Sequence, residues 1–179
     1  SLVWIGRRRG YRLKRRVCGS DLMWEFLKLS ERKGYRLFFY GDTEETLGSL
    51  TAKLKESFPR LEIAGAISPP FRALTAEEES RDMETINQSG ADVVWVGLGL
   101  PKQERWMAAH RDRLPCALVG VGAAFDFLAG TKPQAPGWMQ SGGLEWLFRL
   151  AHEPRRLARR YLVGNSRFIF HSVRRGNFE

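Results

Sequence analysis

The feature that most constrains the fold is an alternation, over residues 20–130, of short apolar runs with helix-like segments. The helix-like segments carry apolar residues at three- and four-residue spacing,. The apolar runs are nearly continuous, which is typical of strands covered on both faces of a parallel sheet. We therefore predict an α/β fold with a Rossmann-like, mainly parallel sheet, helices on both faces and right-handed crossovers. The predicted strands are 36–40, 61–64, 92–96 and 117–121.

Length and composition exclude several other classes of protein. The 179 residues, 43% of them hydrophobic, suffice to bury one core without disulfides,. Cys18 and Cys116 form no Cys-x-x-Cys pair and the three histidines show no ligand spacing, so we expect a reducing compartment, no metal and no cofactor,. The longest apolar run, 116–130, is too short for a bilayer span, and no signal peptide is visible,. Because the chain opens at Ser1 directly into apolar residues, we expect further residues upstream.

The net charge of +9 is concentrated at the two ends of the chain. Residues 1–16 hold seven basic and no acidic side chains, and residues 132–179 hold nine basic and three acidic ones. Residues 17–131 are slightly acidic, with thirteen basic against seventeen acidic side chains. Basic ends on such a core favour an anionic surface as a partner, which could be lipid or nucleic acid.

Glycines follow three of the predicted strands, and ligands bind beyond the carboxyl ends of the strands in such sheets. The strongest signal is Gly97-Leu-Gly-Leu-Pro-Lys-Gln-Glu104, where Gly97 and Gly99 let the backbone turn tightly and approach a ligand,. Pro101 suits the first position of a helix whose amides and dipole favour a phosphate, and Gln103 adds a neutral amide,. An ordinary strand–helix turn explains the same spacing, so both interpretations stay open.

Aspartates follow two of these strand ends. Asp42, after Gly41, either caps the next helix or contacts a ligand,. Asp126 lies among apolar residues and needs a partner if buried, such as a ribose hydroxyl, a base edge or a helix amide,. The sequence has no Asp-x-Asp pair, so positive side chains and helix ends would have to neutralise a departing nucleoside diphosphate,. The candidates are Arg16, Arg105 and Arg149.

The chain changes character at about residue 142, which predicts an α/β domain over 1–141 and a helical appendage over 142–179. Apolar residues in this tail share a helical face beside a cluster of arginines, a pattern typical of a helix lying in a membrane interface. A helix docked on its own domain with a solvated basic face explains the pattern equally well. The apolar residues are Leu144, Leu147, Phe148, Ala151, Leu157, Ala158, Tyr161 and Leu162, and the arginines are Arg155, Arg156, Arg159 and Arg160.

Five motifs in a fixed order resemble the WecG/TagA/CpsF family of bacterial glycosyltransferases over nearly the whole chain. They are Cys18-Gly-Ser-Asp-Leu-Met23, Gly97-Leu-Gly-Leu-Pro-Lys-Gln-Glu-Arg-Trp106, Gly120-Val-Gly-Ala-Ala-Phe-Asp-Phe-Leu-Ala-Gly130, Ala135-Pro-Gly-Trp-Met-Gln140, and Gly143-Leu-Glu-Trp-Leu-Phe-Arg-Leu150 followed by Glu153-Pro-Arg-Arg156. The resemblance implies metal-independent, inverting transfer of an N-acetylmannosamine-type sugar from a UDP donor to an undecaprenyl-diphosphate-linked sugar. Such reactions build cell-surface polysaccharides and teichoic acids at the inner face of the cell membrane.

The resemblance also implies roles for individual residues. Donor-binding positions are Gly41, Asp42, Gly97, Gly99, Lys102, Gln103, Glu104 and Asp126, active-site arginines are Arg16 and Arg149, and appendage arginines are Arg156 and Arg159. Family members self-associate in some cases, so a homo-oligomer is compatible with the resemblance.

Two departures from the family pattern matter. The aspartate proposed as general base in the family would lie upstream of Ser1. The loop that usually reads Gly-Tyr-Phe in the family reads Pro69-Pro70-Phe71 here. A catalytically inert UDP-binding fragment is therefore one alternative. A nucleic-acid-binding module is another, disfavoured because the aromatic residues lie in predicted strand cores rather than among the basic residues. A Rossmann dehydrogenase is disfavoured because Gly-x-Gly-x-x-Gly is missing.

Overall fold

The computed structural model describes residues 6, 10–12, 17–141, 144–152 and 154, without the side chains of residues 140, 141 and 149. The chain divides into two compact units. One is residues 17–133, and the other joins residues 1–16 to residues 134–179. The predicted domains 1–141 and 142–179 stay a prediction.

Helices and strands alternate along residues 17–133, as the sequence predicts. Their bounds are α1 Gly19–Lys33, β1 Arg36–Gly41, α2 Glu44–Ser57, β2 Glu62–Ile67, α3 Ala76–Ser89, β3 Val93–Gly97, α4 Lys102–His110, β4 Ala117–Gly120 and α5 Ala124–Ala129. In the other unit the described helices are α6 Gly137–Ser141 and α7 Glu145–His152. No helix within the described part of the chain is both long and apolar enough to span a membrane.

The four strands form one parallel sheet in the order β2-β1-β3-β4. The predicted α/β class with a parallel sheet is confirmed. The chain moves outward from β1 to β2 and then returns to place β3 on the other side of β1. The carboxyl ends of β1 and β3 are therefore the point at which the strand order reverses. Crevices at such a point are where open α/β sheets bind ligands.

Alternate residues of β1 point to opposite faces of the sheet, and each face has its own apolar cluster. Leu37 and Phe39 pack with α1, α2 and α5, whereas Phe38 and Tyr40 pack with α3 and α4. All four side chains are buried, and burying one of this size stabilises the fold by about 1.5–3 kcal/mol,. Helices cover both faces, as predicted.

Two of the helices have well-defined capping residues. Thr75 caps α3 with a reciprocal hydrogen-bond pair to Glu78, and Gly34 ends α1 in the left-handed conformation. Neither Ser20 nor Asp21 caps α1, because the helix already begins at Gly19. Asp21 instead lies in the first turn, where the helix dipole favours an acidic side chain,.

The described part of the predicted appendage is helical. Leu144, Trp146 and Leu147 are exposed at the start of α7, and the Phe148 ring contacts His152 with centroids 4.2 Å apart. The second half of the predicted amphipathic face, from residue 155 onward, lies outside the described residues. A membrane-facing role for this segment stays a prediction.

Candidate functional site

The end of β1 is held by backbone contact with the end of β3. Gly41 pairs with Gly97, and a β-carbon placed on Gly41 would lie 2.7 Å from the carbonyl carbon of Gly97. No side chain fits there, so the two strands approach closely at the reversal point. Gly97 is restricted on its other side, since a β-carbon there would lie 2.6 Å from the ring of Phe125.

Asp42 has a positive φ of 60°, which is uncommon for any residue except glycine and tolerated by aspartate,. Its Oδ1 accepts a 2.9 Å hydrogen bond from the amide of Thr43, and its carbonyl accepts one from the Ser68 hydroxyl. Thr43, and not Asp42, is the residue that caps α2, through a 3.1 Å bond from the amide of Thr46. The capping interpretation of Asp42 is therefore wrong, and its side chain stays half-exposed at the reversal point.

The turn after β3 runs from Gly97 to the start of α4. Gly99 has a φ of +74°, and nothing lies within 4 Å of a β-carbon placed on it. Pro101 precedes the helix as its N-cap rather than forming its first residue. The backbone amide of Gln103 donates a 2.9 Å hydrogen bond to the carbonyl of Gly99. The sequence predicts that amides at this helix start bind a phosphate, but this one is already bonded within the protein. Lys102 and Glu104 are exposed on the first turn of α4.

The side chain of Gln103 points inward. Only 5% of Gln103 is exposed. Its Oε1 accepts a 3.0 Å hydrogen bond from the amide of Gly122, and its Nε2 donates 3.0 Å to Oε1 of Glu104. The turn after β3 is thereby bound directly to the turn after β4. The sequence offered no signal for this contact, since Gln103 and Gly122 are nineteen residues apart.

Asp126, in α5, is buried and fully engaged within the protein. Its Oδ2 lies 2.7 Å from Nζ of Lys132, and Oδ1 accepts a 3.1 Å bond from the Thr131 hydroxyl. Its carbonyl also accepts from the amides of Thr131 and Lys132. The partners of this buried carboxylate are thus Lys132, six residues further on, and Thr131, five residues further on. Neither was among the partners that the sequence suggested.

Asp42, Asp126 and Lys132 form one electrostatic group. Burial raises the pKa of Asp42, and the negative charge of Asp126 raises it further. The hydrogen bond from the Thr43 amide and the positive charge of Lys132 lower it, but the net change is a rise. Asp126 is neutralised by Lys132, whereas Asp42 has no comparable ion pair of its own among the described contacts. A half-exposed carboxylate with a raised pKa can accept hydrogen bonds from sugar hydroxyls and can exchange a proton with a ligand.

A buried polar and aromatic cluster supports this edge from beneath. The hydroxyl of Tyr40, next to Gly41, donates a 2.8 Å hydrogen bond to Oδ2 of Asp82. Burial and the neighbouring Asp82 raise the pKa of Tyr40, so its hydroxyl stays protonated. The Tyr40 ring stacks on Trp106, with centroids 4.4 Å apart, and Trp106 contacts His110 at 4.6 Å. The cluster ties α3 and α4 to β1.

A cavity of about 260 Å³ opens at the end of β2, on the same edge of the sheet. Asp82 lies at its wall, together with the loop that carries Pro69 and Pro70. Phe71 is 85% exposed and does not belong to its lining. The full lining is Ile67, Ser68, Pro69, Pro70, Leu74, Glu78, Arg81 and Asp82.

The structure brings the eight predicted donor-binding residues to one edge of the sheet. Arg105 is exposed on α4. Arg16, Arg156, Arg159 and the side chain of Arg149 lie outside the described residues, so their predicted roles stay predictions. Among the described residues, no cluster of three or more histidine, cysteine, aspartate or glutamate side chains could hold a metal ion. The residues at the edge are Gly41, Asp42, Gly97, Gly99, Lys102, Gln103, Glu104 and Asp126.

Comparison with known proteins identifies relatives of the chain. It is 30% identical over 159 residues to the N-acetylglucosaminyldiphosphoundecaprenol N-acetyl-beta-D-mannosaminyltransferase of Bacillus subtilis, and 31% identical over 159 residues to the protein of the same name from Bacillus spizizenii. Each match covers 88% of this chain and 60% of the relative, so the chain spans less than two thirds of their length. A model described as the glycosyl transferase WecG/TagA/CpsF family matches residues 1–178. The chain belongs to the WecG/TagA/CpsF family of glycosyl transferases.

Proposed function

We propose that the chain is the nucleotide-sugar-binding part of a glycosyltransferase. It transfers an N-acetylmannosamine-type sugar from a UDP donor to an undecaprenyl-diphosphate-linked sugar during the synthesis of a cell-surface polymer. Family membership supports a glycosyl transferase, and the names of the two Bacillus relatives support the sugar and the acceptor. The UDP donor, the inversion of configuration and the independence from metal rest on the sequence resemblance.

The observation that carries the proposal is the close approach of β1 and β3 at the point where the strand order reverses. Gly41 and Gly97 leave no side chain between the two strand ends, and Gly99 leaves open space above them. A nucleoside diphosphate can therefore approach the backbone of both turns. Asp42 stands at the same crevice with a half-exposed carboxylate suited to a sugar or ribose hydroxyl,.

The proposed chemistry is a single displacement at the anomeric carbon of the donor. A carboxylate takes the proton of the acceptor hydroxyl while UDP departs from the opposite face. By the resemblance, that carboxylate is an aspartate upstream of Ser1. Arg149 and Arg16 would stabilise the charge that develops on the diphosphate, in the way that preorganised cations stabilise any leaving anion.

The acceptor in this proposal is a lipid, so the protein works at a membrane surface. The basic C-terminal segment, with Arg156 and Arg159, would bind the anionic inner face of the cell membrane, each nearby arginine contributing about 1 kcal/mol,. Sedimentation with vesicles tests this step. Binding to vesicles that contain phosphatidylglycerol, weakened by added salt, supports it, whereas stronger binding to RNA or DNA than to such vesicles contradicts it.

Titration calorimetry with UDP is the first test of the proposed donor site. We expect UDP to bind this chain equally well in EDTA and in magnesium, and NAD not to bind. Binding that requires magnesium would contradict the metal-independent mechanism, and absence of UDP binding would contradict the proposed site. A form of the protein extended upstream of Ser1, assayed with a panel of UDP-sugars and a lipid-diphosphate acceptor, then identifies the donor.

The role of Arg149 is tested by Arg149→Ala in the same extended protein. Loss of one charge-stabilising group should lower turnover by about 100-fold while the free energy of unfolding changes by less than about 0.5 kcal/mol. Arg111→Ala is the matched control, because Arg111 is an exposed arginine that pairs only with its neighbour Asp112 among the described contacts. Equal turnover in the two variants would remove Arg149 from the mechanism.

A further inference from the structure

The Gln103 bridge, defined here as Gln103 with Gly120 and Gly122, joins the turn after β3 to the turn after β4. Gln103 reaches from the first turn of α4 to the amide of Gly122 over 3.0 Å. Gly122 has a φ of +58° and lies in the turn between β4 and α5. This hydrogen bond therefore fixes a turn in the left-handed conformation from outside the turn itself.

The same side chain lies close to the backbone at position 120. A β-carbon placed on Gly120 would lie 2.9 Å from Nε2 of Gln103 and 2.9 Å from Cε of Met107. An amide held by hydrogen bonds at both of its atoms moves away less readily than the end of a flexible methionine. The glycine of β4 and the glutamine of α4 are thus matched to each other.

Little of the Gln103 amide remains for a ligand. Its oxygen is engaged by Gly122, its nitrogen by Glu104, and 5% of the residue is exposed. Each of the two amide atoms could make one more hydrogen bond, but a residue that is only 5% exposed offers little surface on which a donor could reach it,. By contrast, the backbone that Gln103 orients, at Gly122, stands beyond the carboxyl end of β4, where ligands of such sheets bind,.

We infer that Gln103 is a positioning residue for nucleotide binding, which acts by holding the Gly120–Gly122 turn against α4 rather than by touching the donor. The inference rests on the proposed function for its ligand. The geometric part, that Gln103 fixes the Gly122 amide, stands on the structure alone. The two parts can therefore be tested separately.

Three variants distinguish positioning from contact. Gln103→Met keeps the length of the side chain and removes both hydrogen bonds. The double variant Gln103→Glu with Glu104→Gln exchanges the two groups, so that a carboxylate still accepts from Gly122 and the new amide donates to it. Glu104→Gln alone measures the effect of losing the outer carboxylate.

We expect Gln103→Met to weaken UDP binding by about tenfold, the size of effect given by one lost hydrogen bond. The exchanged double variant should recover most of that loss, because the bond to Gly122 is restored. If Gln103 contacts the donor instead, the double variant should bind UDP worst of all, because a carboxylate then replaces an amide beside the diphosphate. That ranking, measured by calorimetry, would overturn the inference.

Hydrogen exchange of the Gly122 amide, followed by NMR without ligand, tests the geometric part. The amide should exchange at least tenfold faster in Gln103→Met and return toward the wild-type rate in the double variant. An unchanged rate in Gln103→Met would refute the bridge whatever happens to UDP. If the wild-type chain fails to bind UDP while the exchange rates respond as expected, the proposed function fails and the bridge stands.

Discussion

The turn after β1 and the turn after β4 lie on the same edge of the sheet but differ in how far their acidic side chains are paired. The first is fixed by backbone contact, with Gly41 against Gly97, and leaves the carboxylate of Asp42 half-exposed. The second has a backbone hydrogen bond as well, from the amide of Val121 to the carbonyl of Val96, but its polar side chains are paired, Asp126 with Lys132 and Gln103 with Gly122. The polar side chains around the turn after β4 are therefore buried and paired within the protein, whereas the carboxylate of Asp42 is half-exposed.

The largest expected effect comes from breaking the backbone contact of the first turn. Gly41→Ala places a β-carbon 2.7 Å from the backbone of Gly97 at a φ of +127°, where neither backbone can yield cheaply. We expect the free energy of unfolding, measured in urea, to fall by about 3 kcal/mol.

The matched control for Gly41→Ala is Gly48→Ala in α2. Gly48 is exposed, and nothing lies within 4 Å of a β-carbon placed on it. An alanine there should raise the free energy of unfolding by about 0.5–1 kcal/mol, because alanine is the better helix former. If both alanine variants changed the free energy of unfolding in the same direction, the contact with β3 would not distinguish Gly41 from an ordinary glycine.

A smaller loss is expected when the side-chain contacts of the second turn are removed. Asp126→Ala deletes the acceptor of Lys132 and of the Thr131 hydroxyl, and should lower the free energy of unfolding by about 2 kcal/mol,. Asp126→Asn keeps one oxygen for Thr131 and should lose about half as much.

The two Asp126 variants also separate structure from ligand contact. If Asp126 serves the fold, as its 6% exposure and internal partners indicate, UDP affinity should change little in a variant that stays folded, although the free energy of unfolding falls,. A stable Asp126→Asn variant that has lost UDP binding would place this carboxylate in contact with the nucleotide and erase the distinction between the turns.

The sequence predicted β1 and β3 well because their apolar runs are buried on both faces, whereas β2, predicted at 61–64 and less buried, extends to Ile67. β1 was predicted at 36–40 and lies at Arg36–Gly41, and β3 was predicted at 92–96 and lies at Val93–Gly97. Such runs depend on local composition and on burial, which periodicity records. The same reasoning placed the glycine turns at the carboxyl edge of the sheet.

The direction in which a polar side chain points could not be predicted in the same way. The resemblance implies that Gln103 and Asp126 bind the donor, which stays a prediction, and the structure adds that both side chains are hydrogen-bonded within the protein. The partner of Gln103 comes from another turn, and Lys132 becomes a partner of Asp126 only after Gly130 ends α5 in the left-handed conformation. Contacts of this kind follow from tertiary packing, which residue spacing alone does not specify.

The smallest expected effect concerns the charge of Asp42. Since burial and Asp126 raise the pKa of Asp42, the folded protein favours the protonated carboxyl more than the unfolded chain does,. The ionised form therefore costs stability, and this cost grows as pH rises through the raised pKa.

Asp42→Asn keeps Oδ1 for the Thr43 amide and tolerates the positive φ,. At pH 7 the variant should be more stable than wild type by less than about 1 kcal/mol, and the gap should close toward pH 3. A gap in urea unfolding that widens as pH falls would mean that the ionised carboxylate is stabilised by the fold, and that the turn after β1 resembles the turn after β4.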